Sequence, residues 1–268
     1  MHKEYTREEG GSHIKILVVE DDELSQRMMR IILAKEGYEV YIASGGMDAL
    51  RAVGEQHFDI ILMDLQMPHM DGVETSRRIR EFAGKDNYPY IVALTASYLP
   101  EKGRELFESG IDNYLAKPFD IQQLHRIIHY GMGHRNEEGV VDPSANKIDA
   151  EPANQPVFDP VAGIKMVGGD EELYRDLLAD FARRLPEKIR KFLVYLEERD
   201  INGLSRAAHT LKGVSLNLGA LQLYEYAGKL ENCTGERYTA SAMLEGDIRA
   251  LGAAAARFLL KASEFLSI

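Results

Sequence analysis

From Ile14 onward, short apolar runs alternate with stretches of helical period, and near residue 130 that alternation stops. The runs end at Val19, near Ala43, at Met63, at Leu94 and at Ala116. Too short for helices and rich in Val, Ile and Leu, they predict buried strands. Each is followed by apolar residues at helical spacing: Leu24–Glu36, Met47–Gln56, Val73–Phe82, Pro100–Ser109, and Ile121 to about Tyr130. Pro100 suits a first helical turn, and Gly37 and Gly110 suit the residue that closes a helix. Five strand and helix units in succession predict an α/β fold, a doubly wound five-stranded parallel sheet covered on both faces.

After Gly133 the periodicity disappears, and Gly139, Pro143, Pro152 and Pro156 stand among Asn, Asp and Glu. That composition predicts a flexible linker over 133–157, whose random-coil span of roughly 25–30 Å lets the flanking domains meet in cis. Beyond Phe158 the signal is helical only: Asp170–Leu185, Pro186–Arg199, Ile201–Leu218, Leu221 to about Thr234, and Ser241–Phe265. Short connections between long helices predict an all-α up-and-down bundle. The expected organisation is a tail at 1–13, a sheet domain at 14–132, the linker, and a bundle at 158–268.

Composition narrows the partners. With 45% hydrophobic and 28% charged residues and a net charge of −11, nucleic acid and anionic membrane are disfavoured, whereas a cation in an acidic pocket is not. The single cysteine, Cys233, provides neither a disulfide frame nor a cysteine zinc site, which suits a reducing, cytoplasmic setting. No apolar run is long enough to span a bilayer, and the first thirteen residues lack a signal peptide's apolar core. They read as a loose tail, with GGSH in the manner of a cloning remnant.

In sheets of this kind ligands gather outside the carboxyl ends of the strands, where strand order reverses. Those ends carry Glu20, Asp21 and Asp22 after the first strand, Asp64 after the third, Thr95 after the fourth and Lys117 after the fifth. In the stretch IILMDLQMPHMDG, Pro68 stops the strand and Gly72 permits the tight backbone before the next helix. Singly, each residue has an ordinary reading: Glu20–Glu23 as an acidic helix cap, Thr95 as a strand end, Lys117 as a surface lysine, Tyr114 as a core or rim aromatic. Clustered carboxylates, however, repel unless a cation joins them, and oxygen-only ligands favour Mg2+ or a similar hard ion such as Mn2+. Lys117 and the Thr95 hydroxyl could then hold the remaining oxygens of a phosphoryl group attacked by the Asp64 carboxylate.

The motifs ILVVEDDE, IILMDLQMPHMDG, ALTAS and YLAKPF, in this order, resemble those of response regulator receiver domains, a flavodoxin-like fold, over Ile14 to about Gly131. The resemblance implies that Asp64 is the phosphoacceptor, with Asp21 a direct metal ligand, Glu20 acting mainly through water, and the main-chain carbonyl of Gln66 a further ligand. It implies Thr95 and Tyr114 as a switch pair and Lys117 as the phosphate-binding lysine. Gln66 and Ser97 flank that site and are candidates for tuning the phosphoryl lifetime.

In the rear bundle, the helix from Ile201 carries a core stripe of Ile201, Leu204, Ala208, Leu211, Ser215 and Leu218. His209 lies about 160° around the wheel from Leu211, which predicts that it faces water, with Lys212 and Gly213 beside it. A mid-helix glycine costs about 1 kcal/mol relative to alanine and so asks for a reason. The string AHTLKGVSLNLGA resembles the phosphohistidine motif of histidine phosphotransfer domains, over about Phe158 to Phe265. By that likeness His209 is phosphorylated, Lys212 assists, and Gly213 leaves clearance for a partner backbone.

Together these readings predict a phosphorelay protein. Asp64 takes phosphoryl from an upstream histidine kinase or other phosphohistidine donor, and His209 exchanges it with a receiver aspartate, its own or a downstream regulator's. No glycine-rich ATP loop or Walker motif is visible, so the chain moves phosphoryl groups without drawing them from ATP, in the manner of the tail of a hybrid kinase. Two rival classes are an aspartate-nucleophile phosphatase, weakened because Gln66 stands where such enzymes carry a second Asp, and a non-catalytic scaffold.

Overall fold

The computed structural model describes residues 14–82, 88–95, 103–117, 119, 121–133, 156–231 and 241–267. The tail, nearly all of the linker, Ser97, Pro100, Pro118 and Cys233 lie outside them, as do the readings made there.

The front half is the expected alternation: β1 (Lys15–Val19), α1 (Glu23–Lys35), β2 (Glu39–Ala43), α2 (Gly46–Glu55), β3 (Ile60–Asp64), α3 (Gly72–Phe82), β4 (Tyr90–Thr95), α4 (Gly103–Glu108), β5 (Asn113–Ala116) and α5 (Ile121–Gly133). All pairings are parallel and the strand order is β2-β1-β3-β4-β5, so the order reverses at β1 and β3. The two-residue period of the strands splits the core cleanly. Leu17, Val19, Ile61, Met63, Ile91 and Ala93 pack with Ala49, Ile79 and Leu106 on one face. Ile16, Val18, Ile60, Leu62, Val92 and Leu94 pack with Met29, Leu33, Leu124 and Ile128 on the other. Both faces of every central strand are therefore buried, which is why the strands read as unbroken apolar runs. Gly37 and Gly110 close α1 and α4 with φ of 88° and 87°, as expected of left-handed stops.

The rear half is helical throughout its described residues: α6 (Pro160–Met166), α7 (Glu171–Glu197), α8 (Ile201–Asn217), α9 (Leu221–Glu231) and α10 (Ser241–Leu266). Asp159, Asp170 and Asp200 cap α6, α7 and α8 through side-chain oxygens. Helix α8 packs on α9, α9 on α10, α10 on α7, and α7 on α8, closing a four-helix ring. Its core is built from Leu177, Phe181, Leu185, Leu204, Leu211, Leu223, Leu251 and Phe258, each at most 1% exposed.

Two expectations are corrected here. The helices foreseen on either side of Pro186 are one helix of 27 residues, α7, with Pro186 inside it. Pro186 faces solvent while Leu185 and Phe192 are buried, so bundle packing holds the helix across the missing N–H. The short α6 was not foreseen, since seven residues hold too little of a period to register.

The two halves are in contact. Leu24 and Ile32 of α1 are 4% and 8% exposed because they join the hydrophobic cluster of the bundle, with Met28 and Ile31 packed alongside. Around this apolar strip, Lys188 pairs with Asp22 at 2.5 Å, Arg27 with Asp176 at 2.5 Å, Arg184 with Glu23 at 2.5 Å, and Lys35 with Asp170.

Candidate functional site

The carboxyl ends of the strands bring the rim residues together. Register sets Asp64 opposite Leu94 and Thr95 opposite Ala116, so Asp64, Thr95 and Lys117 finish adjacent strands at nearly one level. Asp64 and Thr95 are themselves the last residues of β3 and β4, one position later than the apolar pattern indicates. A Cβ on Gly72 would overlap the Asp64 carbonyl, and the Gly72 N–H donates to the Leu65 carbonyl at 3.1 Å. Only glycine lets the start of α3 fold back this closely beneath the Asp64 carboxylate.

Glu20, Asp21 and Asp64 each offer an oxygen within 4.8 Å of the others, forming the acidic group expected on the rim. Lys117 Nζ donates to Asp64 Oδ2 at 2.7 Å and to Glu20 Oε2 at 3.0 Å, and the Gln66 N–H donates to Asp64 Oδ1 at 3.0 Å. Burial pushes the Glu20 carboxyl up to about 8, with the neighbouring Asp64 charge adding to it and Lys117 opposing it. Asp21 is raised as well, by burial and then by Asp64. Burial works the same way on Asp64, but Lys117 and His209 outweigh it and hold the carboxyl below its ordinary value. Burial also opposes the Lys117 charge, yet Asp64 and Glu20 raise its pKa above that of a free lysine. The reading of Lys117 as a mere surface residue therefore fails, since its cation is committed to two buried carboxylates.

Asp21 Oδ1 is buried without a hydrogen-bond partner. A buried carboxylate oxygen left unpaired beside two further carboxylates is the donor set of a hard divalent cation, and the residues fit one. Thr95 and Tyr114 are each 6% exposed. Tyr114 stands in register with Ala93, two residues before Thr95 and toward the same face of the sheet.

Across the domain contact lies His209. The expectation that it faces water is overturned: it is 5% exposed, because the α/β domain covers that side of α8. A helical wheel registers only the core of its own domain, and here a second domain supplies the cover. Glu20, Asp64 and Lys117 line the intervening cleft from one side and His209, Thr210 and Gly213 from the other. His209 Nε2 stands 3.9 Å from Asp64 Oδ1, while Nδ1 lies 2.6 Å from Glu231 Oε1. Lys212 Nζ donates to Glu231 Oε2 at 2.8 Å. Burial would raise the Glu231 carboxyl, but His209 and Lys212 bring it below its usual value. A Cβ on Gly213 would meet nothing within 4 Å, so the cis arrangement leaves the clearance of that glycine unused.

Thus the structure gathers Glu20, Asp21, Asp64, Lys117 and His209 into one site, with Lys212 and Gly213 at its border and Thr95 and Tyr114 toward one face of the sheet. Two participants had no sequence signal. Glu231 is 22 residues from His209 and on another helix, and Lys188 reads as an ordinary charge on a solvated face.

Residues 16–129 match the response regulator receiver domain family, and residues 176–259 match the Hpt domain family. The chain is a receiver domain followed by an Hpt domain. These are the domain types of phosphorelay signal transduction in two-component systems. Sensor protein GacS of Pseudomonas syringae pv. syringae is 31% identical over 213 residues, covering 78% of this chain and 23% of that protein. Aerobic respiration control sensor protein ArcB of Escherichia coli is 28% identical over 220 residues, covering 82% of this chain and 28% of that protein. The chain therefore spans about a quarter of the length of these relatives. Among solved structures, the receiver domain of sensor histidine kinase PA1611 from Pseudomonas aeruginosa, with a magnesium ion coordinated in its active site cleft, is 35% identical. It covers 46% of this chain and 99% of that one, with a TM-score of 0.41. No helix among the described residues is long and apolar enough to cross a membrane.

Proposed function

We propose that Asp64 of the receiver carries a phosphoryl group and exchanges it with His209 of the Hpt domain in the same chain. The observation that carries this reading is the 3.9 Å between Asp64 Oδ1 and His209 Nε2. A phosphorus midway between them would stand about 2 Å from each, within bonding reach of both for an in-line displacement. In one direction the Nε2 lone pair forms the N–P bond while the P–O bond to Asp64 breaks and its electron pair leaves with the carboxylate. The reverse direction restores the acyl phosphate, and both states are energy-rich, so exchange runs either way.

Glu20, Asp21 and Asp64, with the main-chain carbonyl of Gln66, would hold Mg2+ or Mn2+, and the orphaned Asp21 oxygen supports this set. Once bound, the ion would offset the negative charge of the phosphoryl oxygens. Lys117 and the Thr95 hydroxyl hold the other oxygens, and Thr95 with Tyr114 registers the phosphorylated state. The cleft keeps bulk water from the acyl phosphate while His209 is seated.

A receiver at 14–132, a linker at 133–157 and an Hpt domain at 158–268 would work together in the cytoplasm, in the manner of the receiver and Hpt segments of hybrid sensor kinases. An upstream phosphohistidine loads Asp64, and a downstream receiver accepts from His209 once the cis pair separates. No nucleic acid or membrane takes part through this segment.

The test is to label the full chain with radioactive acetyl phosphate and Mg2+ and to separate base-labile acyl phosphate from base-stable, acid-labile phosphohistidine. The wild type should carry both, Asp64→Asn neither, and His209→Gln only acyl phosphate. Base-stable label that persists in His209→Gln would refute the assignment.

A further inference from the structure

We propose that His125 and His129 of α5, together with Glu36 at the end of α1, form a cation site separate from the acidic pocket, one that takes a transition ion such as Zn2+ rather than Mg2+.

The two histidines are four residues apart on one helix, so their side chains stand one above the other on the same face. Helices α1 and α5 pack together on one side of the sheet through Met29, Leu33, Leu124 and Ile128, and Glu36 caps the C-terminal end of α1. There His125 Nε2 lies 3.3 Å from Glu36 Oε2, yet this buried nitrogen makes no hydrogen bond. The carboxylate oxygen is therefore close to the nitrogen but off the line along which a ring N–H would point. A simple ion pair would close along that line. A tetrahedral Zn2+ at about 2.0–2.2 Å from a nitrogen and an oxygen instead holds the two roughly 3.3–3.5 Å apart, with the oxygen off the lone-pair axis. Spacing and misalignment are both those of two ligands sharing an ion.

His129 supplies the third ligand. Its ring stands at 78° to that of His125, with centroids 6.2 Å apart. Two imidazoles on one tetrahedral ion have centroids roughly 5 Å apart, so the ring has to move in by about 1 Å. His129 is exposed and can turn about its side-chain bonds, whereas His125 is flanked by Tyr38, edge-on at 5.8 Å.

Donor chemistry sets the ion. Two imidazoles and a carboxylate suit Zn2+, Ni2+ or Cu2+ and leave a position for water, while Mg2+ takes oxygen. Glu20, Asp21 and Asp64 offer oxygen alone, and they lie at the other end of α1, whose 13 residues make roughly 20 Å of helix. The negative end of the α1 dipole lies at Glu36 and favours a cation there. Another flank of α1 carries Leu24, Ile32 and Lys35 to the Hpt domain, so the ion would staple α1 to α5 behind the docking surface.

The experiment titrates Zn2+ calorimetrically into the full chain with Mg2+ in excess, for the wild type, His125→Gln, His129→Gln and Glu36→Gln, with circular dichroism to check folding. The wild type should bind a single Zn2+ saturably, show coordination shifts at the ring nitrogens of His125 and His129 in ¹⁵N-histidine spectra, and melt at a higher temperature with the ion than without it. Either histidine change should abolish that binding and the melting shift, and Glu36→Gln should weaken the binding at least about 10-fold. His129→Gln changes an exposed position and so tests the site without disturbing the core. Zn2+ binding unchanged in His129→Gln overturns the proposal, as do coordination shifts confined to histidines outside α5. Binding that excess Mg2+ displaces overturns it too, since the ion would then sit on Glu20, Asp21 and Asp64.

Discussion

Removing the Lys188 ammonium should unseat the Hpt domain from the receiver, and the size of the effect follows from how the pair is buried. Lys188 Nζ lies 2.5 Å from Asp22 Oδ2, and the side chains are 26% and 6% exposed. Exposed ion pairs contribute about 0.2–1 kcal/mol, whereas breaking a buried one costs about 3–5 kcal/mol because the remaining charge loses its partner. A pair with one end buried and the other a quarter exposed belongs between these limits, at about 1.5–3 kcal/mol. At 1.4 kcal/mol per factor of ten, Lys188→Met should lower the ratio of docked to undocked chains roughly 10- to 100-fold. Asp22→Asn is the matching change, because asparagine still caps α1 through Ser25 N–H while losing the charge. The docked fraction can be read from rotational tumbling by ¹⁵N relaxation across a salt series, since a seated pair tumbles as one body. In a double-mutant cycle the second substitution should add little to the first. If Lys188→Met matches the wild type throughout the salt series, or if the two effects simply add, the pair does not hold the domains together.

Three further outcomes follow from the packing. In chelator, burial pushes the Glu20 carboxyl up to about 8 against about 4.5 for an unfolded glutamate, so stability should fall as pH rises between those values, and Glu20→Gln should flatten the curve in thermal melts. Gly213→Ala should raise stability by about 0.5–1 kcal/mol in urea unfolding and leave transfer in cis unchanged, because the new methyl meets nothing; a fall in cis transfer would contradict the open space at that position. Pro186→Ala should raise the melting temperature of the bundle, restoring an N–H in mid-helix for a stabilisation of up to about 3 kcal/mol, and a loss of stability would mean that the ring itself packs against something needed.

Much of the receiver was legible in the sequence because both faces of its strands are buried, which leaves uninterrupted Val, Ile and Leu that end where the chemistry begins. Glu20, Asp64 and Lys117 followed from that ending. The bundle was legible in its core stripes but not in its boundaries: Pro186 read as a stop because a local rule ignores the tertiary packing of Leu185 and Phe192 on either side. His209 was placed on the correct face of α8 and assigned the wrong environment, since the wheel omits Asp64 and Met28 on the other domain. Glu231 could not be found at all, because a bond from the middle of α8 to the last residue of α9 leaves no spacing to read.

Asp22 faces two ways: its backbone N–H donates to Glu20 Oε1 at 3.2 Å, and its carboxylate receives Lys188 from the Hpt domain. One turn of polypeptide thus touches both the cation pocket and the neighbouring domain. By thermodynamic reciprocity, whatever the arrival of the Hpt domain does to the affinity of that pocket, filling the pocket does in equal measure to the grip on the Hpt domain. On the proposed reading, letting go of the histidine is thereby coupled to that pocket through this one bend of chain.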